Sequence, residues 1–531
     1  MKTTYFKFIS LFILLVVITS SCTDRLNTTP LDEDVSTSET VYNDVLDYKE
    51  VLAKVYAGLA VSGQEGPAGQ PDISGIDEGF STYLRQYWKA QELTTDESVI
   101  AWNDGNLRDY QEMDWSSTNE FVTAMYNRIY YQIALTNVFI LEAGDGKLSD
   151  RGISGADREE VQMFRREARF MRALSYWHAL DMYGSVPFVT EEDGVGAFFP
   201  EQISKVDLFN YIESELLDIE AEMVAPGQNE YGRADQGAVW FLLAKLYLNA
   251  EVYINEPHYT ECLTYCEKII NSSAYQLADE YAHNFLADNQ LSNELIFTVN
   301  FDGKNTQTWG GMTFLVHAAV GGSMDITEFG IDGGWGGLRT TPEFVSKFDD
   351  ISGNTDSRAM FHTDGQNLEI DNMFTFTDGY AITKYKNVNR SGVAGSDLVF
   401  PDTDYPLFRY ADVHLMYAEA QLRGGGGDAG LALAYVNALR ERAYGDNSGN
   451  IGAADLTLDF ILEERARELY WEGHRRTDLV RFGLLTGSDY LWSWKGGVQQ
   501  GRGTSERYDQ FPLPASDVAA NPNLEQNPDY R

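Results

Sequence analysis

The chain has 531 residues, enough for one large domain with an ample core, and carries 81 acidic against 40 basic residues, a formal net charge of -41. Such a charge repels polyanions, so nucleic acid, which requires a basic face, is excluded as a partner. Only 3 Cys are present, which rules out a disulfide framework, whereas 10 Trp, 31 Tyr and 28 Phe leave a surplus of aromatic rings for a binding face.

Met1–Ser21 reads as a signal peptide: Lys2 and Lys7 precede the apolar run Phe8–Ile18, which is too short to span a bilayer, and small residues follow. Thr19-Ser20-Ser21-Cys22 resembles a relaxed lipobox, so Cys22 is the expected lipidation site and residues 22–40, polar and Pro-containing, the expected tether. Helical periodicity then dominates. It predicts helices over Val41–Ala60, Asn119–Leu141, Asp157–Tyr183, Ser204–Met223, Ala234–Ala250 and Tyr259–Ile270. Between the first two, 64–118 has no sustained period and reads as an elaborated loop region. His258, Cys262 and Cys266 fall on one helical face, yet no fourth ligand lies at a familiar spacing, so they read as core residues and no metal is expected.

The helices at 238–270 have Ala244, Tyr247, Tyr259 and Tyr265 spaced much as in tetratricopeptide repeats, and Ala411–Leu422 with Ala429–Arg442 repeats the layout across Gly424–Gly427. No fixed period links the two pairs. The fold class is therefore mainly α: degenerate helix pairs form a scaffold over about 41–290 and 404–485, a loop-rich insertion occupies about 291–403, strands are few and short, and 486–531 is an extended C-terminal segment. The insertion opens on ELIFTVNF, a buried-strand pattern, and then loses periodicity among crowded glycines that include the GGWGG around Trp335.

The stretch 458–483, LDFILEERARELYWEGHRRTDLVRFG, combines a helix, a sharp turn at Gly473 and a second short helix, all rich in Arg and carboxylates, and so predicts a packed corner of paired charges. Together with RREARFMRALSYWHALDMYGSVPFVT, YPLFRYADVHLMYAEAQLR and FPLPASDVAANPNLEQNPDY, in that order, and the N-terminal lipoprotein signal, it resembles the SusD/RagB family of surface glycan-binding lipoproteins essentially from end to end. The resemblance implies a single SusD-like domain over 41–531, anchored by lipid to the outer membrane and exposed at the cell surface. It also implies a partner, a SusC-type TonB-dependent transporter over which the protein acts as a lid.

The sequence contains no HExxH, GxSxG or phosphate-cradling loop, and His474, inside the charged corner, reads as a structural hydrogen-bonding group; neither catalysis nor a cofactor is expected. A pyranose presents an apolar face that a flat ring covers and hydroxyls that planar side chains fix. That chemistry concentrates in two loop regions, 83–115 and 309–339. Trp88 and Trp115 read as anchors of the core or loops; Trp102, Trp335 and Trp309, each close to glycine, read as ligand platforms. Family members carry an aromatic arc with Arg and Asn contacts, which by resemblance places Arg85, Asn103 and Asn106 beside these rings. The expected ligand is an oligosaccharide, with a lean to a neutral glucan because of the acidic charge. Peptide capture and a tetratricopeptide-like assembly scaffold without a small ligand are the alternatives, and convergence of Trp102 with Trp335 separates the scaffold from the others.

Overall fold

Residue types at the helix starts decide where the regular structure begins. In the computed structural model, which describes residues 38–193 and 198–530, Asp44 caps helix α1 (Val45–Ala57) through a reciprocal box with Asp47, so the helix starts after Val41. The signal peptide expected over 1–21, Cys22 and most of the tether lie outside the described residues; Ser38–Val41, at the tether's expected end, is one helical turn. Thr82 caps α2 (Tyr83–Glu92), which corrects the reading of 64–118 as loop alone. Every residue of α2 is buried, including Lys89 and Glu92, so its polar face is enclosed by the protein instead of facing solvent. Asn119 accepts from the N–H groups of Phe121 and Val122 and starts α3 (Glu120–Glu142), which packs on α4 (Gly155–Tyr183) and then on α5 (Lys205–Ile219) through α4.

The scaffold continues with α6 (Gln236–Leu248), capped by Asp235, and α7 (Tyr259–Ser272), where Cys262 and Cys266 are fully buried core residues. The insertion contains a further correction: Gly311–Ala318 is a buried helix, α8, eight residues long and apolar around most of its circumference. The second helix pair follows as α9 (Tyr410–Ala420) and α10 (Ala429–Tyr444), and then come α11 (Leu458–Leu469) and α12 (Arg475–Arg481). α6 packs on α7, α7 on α9, and α9 on both α10 and α11, so the insertion leaves the two helix pairs in one continuous stack. Strands are short. β1 (Val99–Ile100) pairs antiparallel with β3 (Leu338–Arg339), and β2 (Leu295–Val299) pairs antiparallel with β4 (Tyr405–Arg409), closing the insertion at its two ends.

The charged corner is buried. Glu468 lies 2.6 Å from Arg409 and 3.2 Å from Arg358 and also pairs with Arg442; Glu464 lies 2.8 Å from both Arg358 and Arg440 and 2.7 Å from Arg467. Arg465 bridges Asp412 at 2.6 Å and Asp478 at 2.7 Å, and Arg475 holds Asp96 through two bonds of 2.7 and 3.0 Å. Arg476 instead ties the C-terminal segment to the corner, its guanidinium donating to the Asp509 carbonyl at 2.6 Å and lying over Phe511. His474 accepts from the Lys245 ammonium at Nδ1, 2.6 Å away, and burial holds it far below the usual histidine range; it is a hydrogen-bonding group of the core.

Two carboxylates under the corner run the other way. Glu92 accepts from the Gly473 N–H at 2.6 Å and Glu97 from the Trp471 N–H at 3.2 Å. Burial pushes Glu92 up to about 7, and burial together with the Glu92 charge pushes Glu97 well above the ordinary carboxylate range. Groups with raised folded-state values stabilise the fold fully below their unfolded values, near about pH 4.3, and that stability is lost as pH rises through about 7. Asp412 and Asp478, held low by Arg465 despite burial, and Glu464, held low by Arg358, lose their contribution only once pH falls below about 4. The unfolding midpoint is therefore expected to rise as pH is lowered from 8 to about 5 and to fall again below about 4. Glu92→Gln should flatten the upper limb in a calorimetric pH series; an unchanged upper limb would assign it to general charge repulsion instead.

Candidate functional site

The two-residue ladder between β1 and β3 is the element that assembles the candidate site. Its register, Val99 opposite Arg339 and Ile100 opposite Leu338, places the residues just after β1 beside those just before β3, and the Ala101 N–H donates to the Gly337 carbonyl at 2.8 Å. Trp102 and Trp335, far apart in sequence, thereby meet with ring centroids 6.2 Å apart. Trp309 joins them, 6.5 Å from Trp335, and Phe400 continues the row 5.2 Å from Trp309. The three tryptophans are half-buried, with part of each surface open; Trp102 and Trp335 pack against the core, and Trp309 packs on Trp335 and Phe400.

Beneath the rings lies α8. Three successive N–H groups, from Trp335, Gly336 and Gly337, donate at 2.8 Å to the carbonyls of His317, Val320 and Ala318, so the Trp335 loop is hung on carbonyls at and just beyond the end of α8. Glycine is required at 337, where a Cβ would stand 2.8 Å from the Trp102 ring. Phe314 meets Trp102 edge-on at 5.8 Å, and His317 stacks on Trp335 at 4.9 Å with planes 24° apart.

Arg85 reaches the same cluster from α2. Its guanidinium lies 4.3 Å from the Phe314 ring and 5.8 Å from Trp102, donates to the Trp309 carbonyl at 3.2 Å and to the Gly79 carbonyl, and is lowered to about 9 by burial, against the attraction of Asp104 and Asp77. It therefore braces the Trp309 loop from below. Asn103, next to Trp102, is exposed and has no hydrogen-bond partner among the described residues, which leaves its whole amide for a ligand. Asn106 is partly committed: its amide oxygen accepts from the Glu120 N–H at 3.1 Å and its carbonyl from Asn119 at 3.0 Å, pinning the loop to the start of α3.

Trp88 and Trp115 are buried in the core, and Trp88 donates to the Trp471 carbonyl at 3.0 Å. Arg339, another residue of the 309–339 region, is also buried; it donates to the Asp378 and Met373 carbonyls at 2.8 and 2.7 Å and is not part of the open face. Phe314, His317 and Phe400 went unmarked in the sequence. Phe400 follows an aperiodic stretch and carries no glycine neighbour, and the other two sit on a helix that periodicity does not reveal.

The face is a shallow row of rings flanked by a free amide and by carboxylates, and among the described residues no group of His, Cys, Asp and Glu could hold a metal ion. It can stack flat apolar surfaces and accept or donate hydrogen bonds at their edges.

Comparison with known proteins gives concordant results. A family model described as the SusD family matches residues 363–530. The chain is 33% identical to Starch-binding protein SusD of Bacteroides thetaiotaomicron, with 100% of each chain covered. Among solved structures, it superposes on a SusD superfamily protein from Bacteroides thetaiotaomicron with a TM-score of 0.70 at 21% identity, covering 91% of this chain and 100% of that one. It also superposes on Surface glycan-binding protein A from Bacteroides thetaiotaomicron in complex with laminarihexaose, with a TM-score of 0.68 at 20% identity over 90% and 98% of the two chains.

Proposed function

Because the chain belongs to the SusD family, we propose that it is a surface glycan-binding lipoprotein that captures oligosaccharides on the face formed by Trp102, Trp335 and Trp309. The observation that carries the reading is the meeting of three half-exposed tryptophans from three separate segments, after β1, before α8 and before β3, on one face. A sugar ring stacks on such a platform while Asn103 and the free amide edge of Asn106 engage hydroxyls; Arg85, buried beneath the rings, serves the site by holding the Trp309 loop. This convergence favours ligand capture over an assembly scaffold. The relative named as starch-binding and the acidic charge together favour a neutral glucan. In this reading the captured glycan passes, without being cleaved, to a SusC-type TonB-dependent transporter, the lipoprotein forming its lid at the outer membrane.

The test uses the soluble chain beginning at Thr23 against a panel of oligosaccharides. Saturable binding of an α- or β-glucan is expected, with no new reducing ends; release of reducing ends would replace the reading with a hydrolase, and binding of peptides alone with peptide capture. The membrane part of the proposal is tested separately. Cys22→Ala should abolish metabolic acyl labelling and either release the protein from the membrane or block its processing, while the helical circular-dichroism signal is unchanged. Persistent labelling of that variant would move the anchor elsewhere. No described helix is long and apolar enough to cross a membrane.

A further inference from the structure

Behind Trp335, the His317 ring holds two loops at once. Its Nδ1 lies 2.6 Å from the Gly333 carbonyl and its Nε2 2.8 Å from the Val399 carbonyl, while the ring itself stacks on the Trp335 indole. Gly333 belongs to the loop that presents Trp335, and Val399 precedes Phe400, which packs on Trp309. We propose that His317 is a positioning residue, a two-ended clamp that fixes the Trp335 platform and sets its register against Trp309, with glycan affinity depending on the clamp being closed at both ends. The inference rests on the binding face proposed above.

The chemistry of the partners gives the clamp its character. Both are carbonyl oxygens, which only accept, so both contacts are hydrogen bonds only when the imidazole carries a proton on each nitrogen; a neutral ring donates at one end and sets a lone pair against oxygen at the other. The doubly protonated ring also places a cation against the face of the Trp335 indole, which is attractive. His317 is buried, so no solvent replaces a lost contact. The other ionisable groups on the packed elements are few. Asp332 adjoins Gly333; Asp397 accepts from the Val399 N–H at 2.8 Å and pairs with Lys304; Arg85 and Lys89 of α2 lie over the Phe314 ring, and α8 itself has no other charged residue.

Two measurements decide the proposal. The first needs no ligand: the emission of Trp335, taken as the difference between each chain and the same chain carrying Trp335→Phe, is compared between wild type, His317→Gln and His317→Phe. Opening the clamp removes the ring's fixed neighbour, so this emission should change clearly in His317→Phe and less in His317→Gln. The second is calorimetry with maltoheptaose and laminarihexaose. His317→Phe, which keeps the ring and removes both donors, should weaken binding by about tenfold or more, and His317→Gln, which keeps one donor, by less. If His317→Phe does not fold, His317→Gln carries the comparison. Trp335 emission unchanged in the variants, or wild-type affinity in both, overturns the clamp. A wild-type chain that binds neither glucan, with the emission change present in the variants, would instead refute the glucan reading and leave the clamp standing.

Discussion

Glu468→Ala is expected to cost on the order of 3–5 kcal/mol and to leave little folded protein at growth temperature. The carboxylate has no exposure and is surrounded by three guanidiniums, those of Arg358, Arg409 and Arg442. Its removal leaves these cations desolvated and short of one counter-charge, and the loss is a large fraction of the roughly 5–15 kcal/mol by which a domain is stable. Arg475→Ala should act in the same direction, because Asp96 would retain the Tyr490 hydroxyl at 2.6 Å and Lys347 at 3.6 Å but lose its bidentate partner. Lys49→Ala is the control: its pair with Glu230 is open to solvent and is worth about 0–1 kcal/mol. Thermal unfolding of the three variants should therefore separate the two corner changes clearly from the control, and glycan affinity in the folded fraction of Arg475→Ala should match wild type. A stable Arg475→Ala that no longer bound glycan would place the corner in the binding site instead.

The corner was legible because its charges continue across Gly473 from one helix into the next, a pattern that a solvated helix face does not need. The long helices were legible for a simpler reason: an apolar stripe and a capping residue such as Asn119 or Thr457 mark each of them. The two helices missed in the sequence were α2 and α8. α2 carries an apolar stripe, Tyr83, Leu84, Tyr87 and Trp88, but it is short, and its polar face, with Lys89 and Glu92, is buried instead of solvated; α8 is apolar nearly throughout and has no polar face to alternate with. The site follows the same division. Trp102, Trp335 and Trp309 were identifiable by ring type and by neighbouring glycine, but the device that joins them, β1 against β3, is two residues long on each side and has no period at all. The rings do not stand clear of the core: Trp102 and Trp335 rest on a floor formed by Phe314, His317 and the glycine backbone.

Trp102→Ala and Trp335→Ala are each expected to weaken binding of the preferred oligosaccharide roughly five- to hundredfold, the equivalent of about 1–3 kcal/mol per stacked ring. The double variant should show no detectable binding, since the starting affinity of a shallow stacking face is about micromolar to millimolar. Half-burial adds a stability cost that a free surface ring would not carry, below the about 3–5 kcal/mol of a core tryptophan deletion. The two effects separate in calorimetry performed well below the unfolding midpoint, where each variant is folded and only the contact area with sugar differs. The two losses should not simply add, because the rings share one ligand and touch each other 6.2 Å apart, so a coupling energy of about 0.5–3 kcal/mol is expected in the double-mutant cycle. Trp88→Phe serves as the structural comparison: it removes a buried indole and its bond to the Trp471 carbonyl, so it should lower the unfolding midpoint and leave affinity unchanged. Wild-type affinity in the Trp102/Trp335 double variant would show that the row of rings is a structural seam and that the glycan is held elsewhere on the molecule.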